Sequence, residues 1–333
     1  MKALVLVGGF GTRLRPLTLA TPKQMLPIAG YTMIEWVVDR LNGHGIDEVI
    51  LSLGYRPDAF LEAFPSGLIS GLPFRIAIEP EPRGTAGAVR FAADETGLDD
   101  TFLVLNGDVL TDLNLTDLIA FHRKCGGEAT IALQPVDDPS RFGVVPTDCN
   151  GRVLEFVEKP PPGTAPTNNI NAGTYVLEPS FLDRIPQHRE VSIERETFPE
   201  LVRDRQLFAM TADSYWLDTG TPEQYLEANI DIVSGRRRVP GIEAVQGEVS
   251  LSATVTDSFI GPGTRVGPNV VVRGSVIMDD CVVGAGAIIE NSILAHGVVI
   301  GGQTRLRNHC VIGRNETVPP GLSLDGVRQP APE

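Results

Sequence analysis

The sequence predicts an α/β chain in two parts. An open, mostly parallel sheet with helices on both faces is expected over residues 1–235, and a coil of short parallel strands over residues 247–323. Three observations carry this expectation. Apolar, β-type runs alternate with helix-period stretches through the first two-thirds of the chain. A glycine-rich turn directly follows the first apolar run, as where a strand feeds a ligand loop. Beyond the break, apolar residues recur every six positions, a period that fits neither an amphipathic helix nor a hairpin array.

Residues 3–7, Ala-Leu-Val-Leu-Val, read as a buried first strand. Residues 33–41 form an amphipathic pattern stopped near Gly43. Strands are expected at 48–53, 74–78 and 101–105, with a helix over 84–93 between the last two and Asp108 just past the final one. Further strands are expected at 129–133, 153–157 and 172–177, and a helix over 222–232 closes this part. Such a βαβ order is Rossmann-like, and ligands of these sheets bind at the carboxyl ends of the strands. The glycine loop and Asp108 both stand at such ends. Residues 236–246 read as a linker, whose arginines suit the negative end of the preceding helix.

The six-residue spacing runs through Ile260, Val266, Val272 and Met278. After a four-residue step it resumes at Val282, Ile288, Leu294, Ile300, Leu306, Ile312 and Val318. Each hexad supplies one short strand and three make a triangular coil, so these positions predict three to four coils of a parallel β-helix. Residues 324–333 are expected to be a disordered tail.

Composition limits the function. Net charge is −14 and the pI about 4.8, which argues against nucleic acid as a partner. A nucleotide needs only a local cationic loop. No apolar run is long enough for a membrane span, no secretory signal is evident, and a cytoplasmic location is expected. Cys125, Cys149, Cys281 and Cys310 form no paired motif and read as reduced thiols. The five histidines are equally dispersed and suggest no zinc site.

The most specific segment is Gly8-Gly9-Phe10-Gly11-Thr12-Arg13-Leu14-Arg15-Pro16-Leu17-Thr18, completed by Pro22-Lys23. Backbone N–H groups of such a turn can approach an anion closely, and Arg13, Arg15 and Lys23 add cations. A P-loop is excluded because no Gly-Lys-Ser/Thr closes the turn. A dinucleotide fingerprint is excluded because Leu14 stands where the third glycine belongs. A polyphosphate suits what remains.

With this string stand Glu79-Pro80-Glu81-Pro82-Arg83-Gly84-Thr85-Ala86-Gly87, Asn106-Gly107-Asp108, Phe142-Gly143-Val144-Val145, Glu158-Lys159-Pro160, Asn171-Ala172-Gly173 and Trp216-Leu217-Asp218-Thr219-Gly220. Together they resemble the sugar-1-phosphate nucleotidyltransferase family, over about the first 230 residues. Within it the chain looks most like the guanylyltransferases that act on mannose 1-phosphate. The resemblance implies transfer of a nucleotidyl group from GTP to α-D-mannose 1-phosphate, with Mg²⁺ as cofactor. By resemblance to hexapeptide proteins the coil should be left-handed, and a role in homo-oligomerisation is expected.

The resemblance also implies roles. Gly8, Gly9, Gly11 and Thr12 would cradle the nucleotide, with Gly84 and Thr85 in a second loop. Arg13 and Lys23 would hold the triphosphate and the departing pyrophosphate. Asp108 and Asp218 would be the metal ligands, although either alone would serve equally as a turn or helix cap. Lys159 would bind the sugar phosphate, and Gly143, Glu158, Asn171 and Gly173 would line the sugar pocket. Glu79 bears on the base. A carboxylate offers only acceptors, and guanine presents two adjacent donors, whereas thymine and uracil put a carbonyl on either side of one donor. Thymidylyl or uridylyl transfer to glucose 1-phosphate, GDP-heptose synthesis, a non-catalytic regulatory paralogue and acyl transfer at a coil histidine are the competing readings.

Overall fold

The computed structural model describes residues 1–54 and 56–331. The first apolar run forms the strand Lys2–Leu6, and Ala3, Leu4 and Val5 are fully buried because partners flank the strand on both sides. Glu48–Leu53 and Phe102–Asn106 pair with it in parallel, and Leu72–Ile78 pairs in parallel with Glu48–Leu53. This is the expected arrangement of strands that are apolar on both faces. Asn169–Leu177 then runs antiparallel to Phe102–Asn106 and to Ala129–Pro135. Leu207–Thr211 pairs in parallel with Ala129–Pro135 at the far side.

The helix Gly84–Thr96 buries Ala86, Val89, Ala92 and Ala93 and ends at Gly97, whose φ of 64° suits the left-handed cap. Leu115–Cys125 is capped by Asn114, whose side chain accepts from the N–H groups of Thr116 and Asp117. Tyr175, Phe181 and Phe198 pack together in the core beside the sheet.

One expected strand is nearly absent. Over 153–157 only Val157–Glu158 is a strand, antiparallel to Gly143–Val144, while Arg152 and Val153 make isolated bridges to Phe208 and Thr147. Leu154 is 59% exposed, so this apolar stretch has no second face to bury and no ladder to join.

Residues divide into two compact units, Met1–Gly9 with Glu35–Trp216, and Phe10–Ile34 with the residues from Leu217 onward. This division lies elsewhere than at residue 235. Within the second unit, the Ala29 N–H donates to Asn229 Oδ1 at 2.8 Å and the Tyr225 hydroxyl donates to the Pro27 carbonyl. A side chain on Gly30 would meet Gln246 and Phe259. The segment after the first glycines is therefore built into the unit that carries the coil.

The coil consists of three parallel sheets of five strands each. It thus has more turns than three to four: Val249 and Val255 before Ile260, and Leu324 after Val318, continue the ladder as partly buried residues packed against its core, beyond the positions expected from the spacing. The inward frame holds at Ile260, Val266 and Val272 and again from Leu294 through Ile300, Leu306 and Ile312 to Val318, and is off by one between them. Met278 is buried, but the core ladder continues through Ile277, Val283 and Ile289 to Leu294, while Val282 is exposed and Ile288 half-buried. One side of a coil holds five residues where the others hold six, at Val272 to Ile277 and again at Ile289 to Leu294. Val249 accordingly stacks under Val266, and Val266 under Val283, seventeen residues on. Asp257, Asn269, Asp280, Asn291 and Asn315 sit at positive φ, as corners of this kind require. Replacing Ile289 by Ala is expected to cost about 2–5 kcal/mol in denaturant unfolding. The same change at Ile288 is expected to cost less than about 1 kcal/mol. Equal costs would contradict this frame.

Residues 324–331 are not a disordered tail. Arg328–Gln329 pairs in parallel with Val311–Ile312, and Val311 N–H donates to the Val327 carbonyl at 2.8 Å. Leu324, six residues after Val318, and Val327 pack against the coil core, and the backbone of this segment pairs with the edge that the preceding coil exposes. Pro332 and Glu333 lie outside the described residues.

Candidate active site

In the first unit the expected residues gather at the carboxyl ends of neighbouring parallel strands. Gly8 and Gly9 follow Lys2–Leu6, Glu79 follows Leu72–Ile78, and Asp108 follows Phe102–Asn106. The Gly107 N–H donates to Leu6 O at 2.9 Å, which holds the Asp108 turn against the end of the first strand. Gly9 has φ 96°, and a Cβ on Gly8 or Gly9 would meet nothing within 4 Å. The backbone there is open to a ligand.

Glu79 is buried, with 8% exposure, and its backbone N–H continues the ladder to Leu53 O. Its carboxylate accepts from the Ser52 hydroxyl at 3.1 Å. Burial pushes the Glu79 carboxyl above the ordinary carboxylate range, opposed by the Ser52 hydroxyl and by the Arg83 N–H and charge. Thr85 opens the helix Gly84–Thr96 and is fixed from two sides: its hydroxyl donates to Glu194 Oε2 at 2.9 Å and accepts from the Ile193 N–H at 2.8 Å.

The sugar-phosphate candidates lie on three adjacent strands. Gly143 pairs with Glu158, and Val144 pairs with Ile170 on the strand that carries Asn171 and Gly173. A Cβ at Gly143 would meet Phe156 at 2.7 Å and Glu158 Oε2 at 3.0 Å, so glycine leaves room for the carboxylate. Lys159 is 61% exposed, with Nζ 3.4 Å from Glu158 Oε1. Asn171 donates to the Tyr175 hydroxyl at 2.9 Å and accepts from the Gly173 N–H at 3.0 Å, which orients its amide. Burial, then the charges of Glu194 and Glu158, hold the Tyr175 phenol protonated. The Trp216 indole donates to Ala172 O at 3.0 Å and packs edge-on against Phe142.

In the second unit, Gly11 starts the three-residue turn Thr12–Leu14 at φ 59°. A Cβ there would meet Thr18 at 3.0 Å and Lys23 Cβ at 3.2 Å. Thr12 and Arg13 are exposed, whereas Lys23 is buried in its own short turn, Lys23–Met25. A Cβ on Gly220 would lie 2.7 Å from Arg13 Nη2 and 2.9 Å from Asp218 Oδ1. Arg13 and Asp218 therefore both approach Gly220. Thr221 caps the helix Pro222–Val233 through its own hydroxyl, which accepts from the Gln224 N–H. Asp218 does not cap that helix.

Among the described residues no group of three or more His, Cys, Asp or Glu is placed to hold a metal ion. A hard cation that arrives with phosphate oxygens and water needs only one or two carboxylates, and Asp108 and Asp218 are the carboxylates expected from the sequence. Glu194 had no role in the sequence reading.

Residues 2–235 match the Nucleotidyl transferase family. The chain belongs to the nucleotidyl transferase family. Residues 243–324 of this nucleotidyl transferase match the EIF2B subunit epsilon LbH domain, a left-handed β-helix. It is 42% identical over 299 residues to the mannose-1-phosphate guanylyltransferase of Mycobacterium tuberculosis, spanning 86% of this chain and 82% of that relative. It is 37% identical over 348 residues to mannose-1-phosphate guanylyltransferase 1 of Arabidopsis thaliana, spanning 98% and 94%. Among solved structures, HddC from Yersinia pseudotuberculosis superposes with a TM-score of 0.60 at 30% identity, over 68% of this chain and 97% of that one. The same protein complexed with GMP-PN gives a TM-score of 0.58 at 29% identity, again over 68% and 97%. Among the described residues of the transferase no helix is long and apolar enough to cross a membrane.

Proposed function

We propose that this nucleotidyl transferase moves a guanylyl group from GTP to α-D-mannose 1-phosphate, giving GDP-mannose and pyrophosphate. The observation that carries the base is Glu79, an acceptor-only side chain held at a strand end by Ser52 and the Arg83 N–H. The similarity to mannose-1-phosphate guanylyltransferases over most of the chain supports the sugar.

A phosphate oxygen of mannose 1-phosphate attacks the α-phosphorus of GTP. A new P–O bond forms, the bond from the α-phosphorus to the bridging oxygen breaks, and pyrophosphate leaves with the electron pair. The nucleophile is already an anion, so the enzyme has to align two anions and neutralise a third rather than remove a proton. Gly8, Gly9, Gly11 and Thr12 offer backbone and hydroxyl donors to the triphosphate, and Gly84 and Thr85 shape the loop beside the nucleotide. Arg13 and Lys23 bind the triphosphate and the leaving pyrophosphate. Lys159 takes the sugar phosphate, Glu158 and Asn171 take sugar hydroxyls, and Gly143 and Gly173 leave room for them. Asp108 and Asp218 are the proposed ligands of Mg²⁺, which when bound neutralises phosphate charge. Residues 1–235 carry this chemistry, 236–246 link it to the coil, and the coil provides contacts for a homo-oligomer. A cytoplasmic location is part of the proposal.

The test is pyrophosphate release with GTP, dTTP, UTP and ATP, each against mannose 1-phosphate and glucose 1-phosphate. Release should be confined to GTP with mannose 1-phosphate. Preference for dTTP or UTP would sink the guanine reading. The pH dependence adds a sign. Protonated Glu79 presents a donor to guanine donors, and its raised pKa brings protonation closer to neutrality. KM for GTP should therefore rise as pH falls through the raised pKa of Glu79, at a higher pH than an ordinary carboxylate would give. In Glu79→Gln this acid limb should vanish and KM for GTP should be raised throughout.

A further inference from the structure

Arg328 stands in the last strand of the coil, outside every motif of the transfer reaction. Its guanidinium donates through Nη1 to the carbonyl oxygen of Arg13 at 3.2 Å, and its Nη2 lies 3.5 Å from Glu223 Oε1. These partners belong to two different arms of the second unit. Arg13 lies in the turn Thr12–Leu14, and Glu223 lies in the first turn of the helix Pro222–Val233, just after Asp218. The same two arms come close again at Gly220, where a Cβ would lie 2.7 Å from Arg13 Nη2 and 2.9 Å from Asp218 Oδ1. Arg328 thus ties the arms through the main chain of one and the helix start of the other, while Arg13 and Asp218 project over Gly220.

The turn is held from outside at its start, where the Thr18 hydroxyl donates to Gly11 O at 2.8 Å. It is three residues long, begins at a glycine in the left-handed region and has no side-chain cap. Its own bonds, Leu14 N–H to Gly11 O and Arg15 N–H to Thr12 O, leave the Arg13 carbonyl to Arg328. The strand that presents Arg328 is held in turn. Gly313 N–H donates to Gln329 O at 2.6 Å, and the Gln329 amide donates to Glu316 Oε2 at 2.8 Å. A second approach lies nearby, where a Cβ on Gly313 would be 3.2 Å from Pro16 Cβ.

We propose that Arg328 is a positioning residue for nucleotidyl transfer, and that the last strand of the coil is a working part of the triphosphate site through it. The inference rests on the reading of Arg13 and Asp218 as triphosphate and metal residues. A charge-assisted bond to a carbonyl fixes direction as well as distance, and small misplacements of a catalytic group cost rate steeply.

The test compares Arg328→Ala, Arg328→Lys, Glu223→Gln and Arg13→Ala in the full chain. Arg328→Ala should lower kcat for GTP and mannose 1-phosphate about tenfold. KM for mannose 1-phosphate should stay within about twofold, because the expected sugar-phosphate residues are not among those Arg328 holds. Millimolar guanidinium should restore part of the lost rate, Arg328→Lys should fall between, and Glu223→Gln should show a smaller loss of the same kind. A purely structural role would instead lower melting temperature without rescue. Wild-type kcat in Arg328→Ala, or a loss that guanidinium leaves untouched while the lysine and Glu223 variants are fully active, would overturn the proposal. Arg13→Ala separates the two levels. Full activity there removes the reading of Arg13 itself, whereas inactivity of Arg13→Ala beside full activity of Arg328→Ala removes only the role of Arg328.

Discussion

Asp108→Asn is expected to lower kcat by about 10²–10³-fold while leaving the melting temperature nearly unchanged. The two possible roles of this carboxylate respond oppositely to the substitution. Asp108 is half-buried in the turn that follows Phe102–Asn106, beside Gly107 and its bond to Leu6. If it served the turn, Asn would serve equally, since both residues accept from nearby N–H groups and tolerate turn geometry. If it balances the charge of a Mg²⁺–triphosphate, Asn keeps the shape and removes the charge that matters. The change should then also raise the Mg²⁺ concentration needed for half-maximal rate. An Asp108→Asn enzyme with wild-type kcat and Mg²⁺ dependence would return the residue to a structural role.

The parts of the molecule that were legible in the sequence share a physical reason. Lys2–Leu6 and Glu48–Leu53 are buried on both faces, so their apolar runs are uninterrupted and their neighbours are forced. The glycine loop was legible because open backbone and cations leave a compositional mark. The coil was legible as a period and in most of its frame, but the five-residue side between Val272 and Ile277 shifts the inward position by one and displaces the expected Met278, Val282 and Ile288 from Ile277, Val283 and Ile289. The contacts of Arg328 and Glu194 were illegible for a further reason. Each touches a partner more than a hundred residues away, Arg13 and Thr85 respectively, and only the register of the coil or the path of the 189–197 segment brings them there. In the tail, Leu324 continues the spacing from Val318 and packs with Val327 against the coil core, but the strand Arg328–Gln329 is held by backbone bonds to an existing edge, which leave no hydrophobic pattern of their own.

Gly84→Ala should destabilise the protein by about 3 kcal/mol or more and raise KM for GTP. Gly84 sits at φ 69°, and a Cβ there would lie 2.6 Å from Val191 O and 2.9 Å from Val191 C. The approach is that close because two segments exchange main-chain bonds: Val191 N–H donates to Arg83 O at 2.9 Å, and Ala86 N–H donates to Val191 O at 3.0 Å. Neither neighbour is a flexible side-chain end, so a methyl group must part the segments. The left-handed φ alone costs an alanine about 1–2 kcal/mol, and each parted bond adds about 1 kcal/mol. Gly97→Ala isolates the first contribution, because Gly97 has φ 64° and nothing within 4 Å of its Cβ position. It should cost only that strain and leave KM unaltered. Functional damage at Gly84 follows from the same geometry. Thr85 is held by Glu194 and the Ile193 N–H across this seam, so separating the segments releases the loop expected to meet the nucleotide. If Gly84→Ala and Gly97→Ala unfold alike and both bind GTP normally, the close approach to Val191 does not organise the loop, and Thr85 is positioned by its own helix alone.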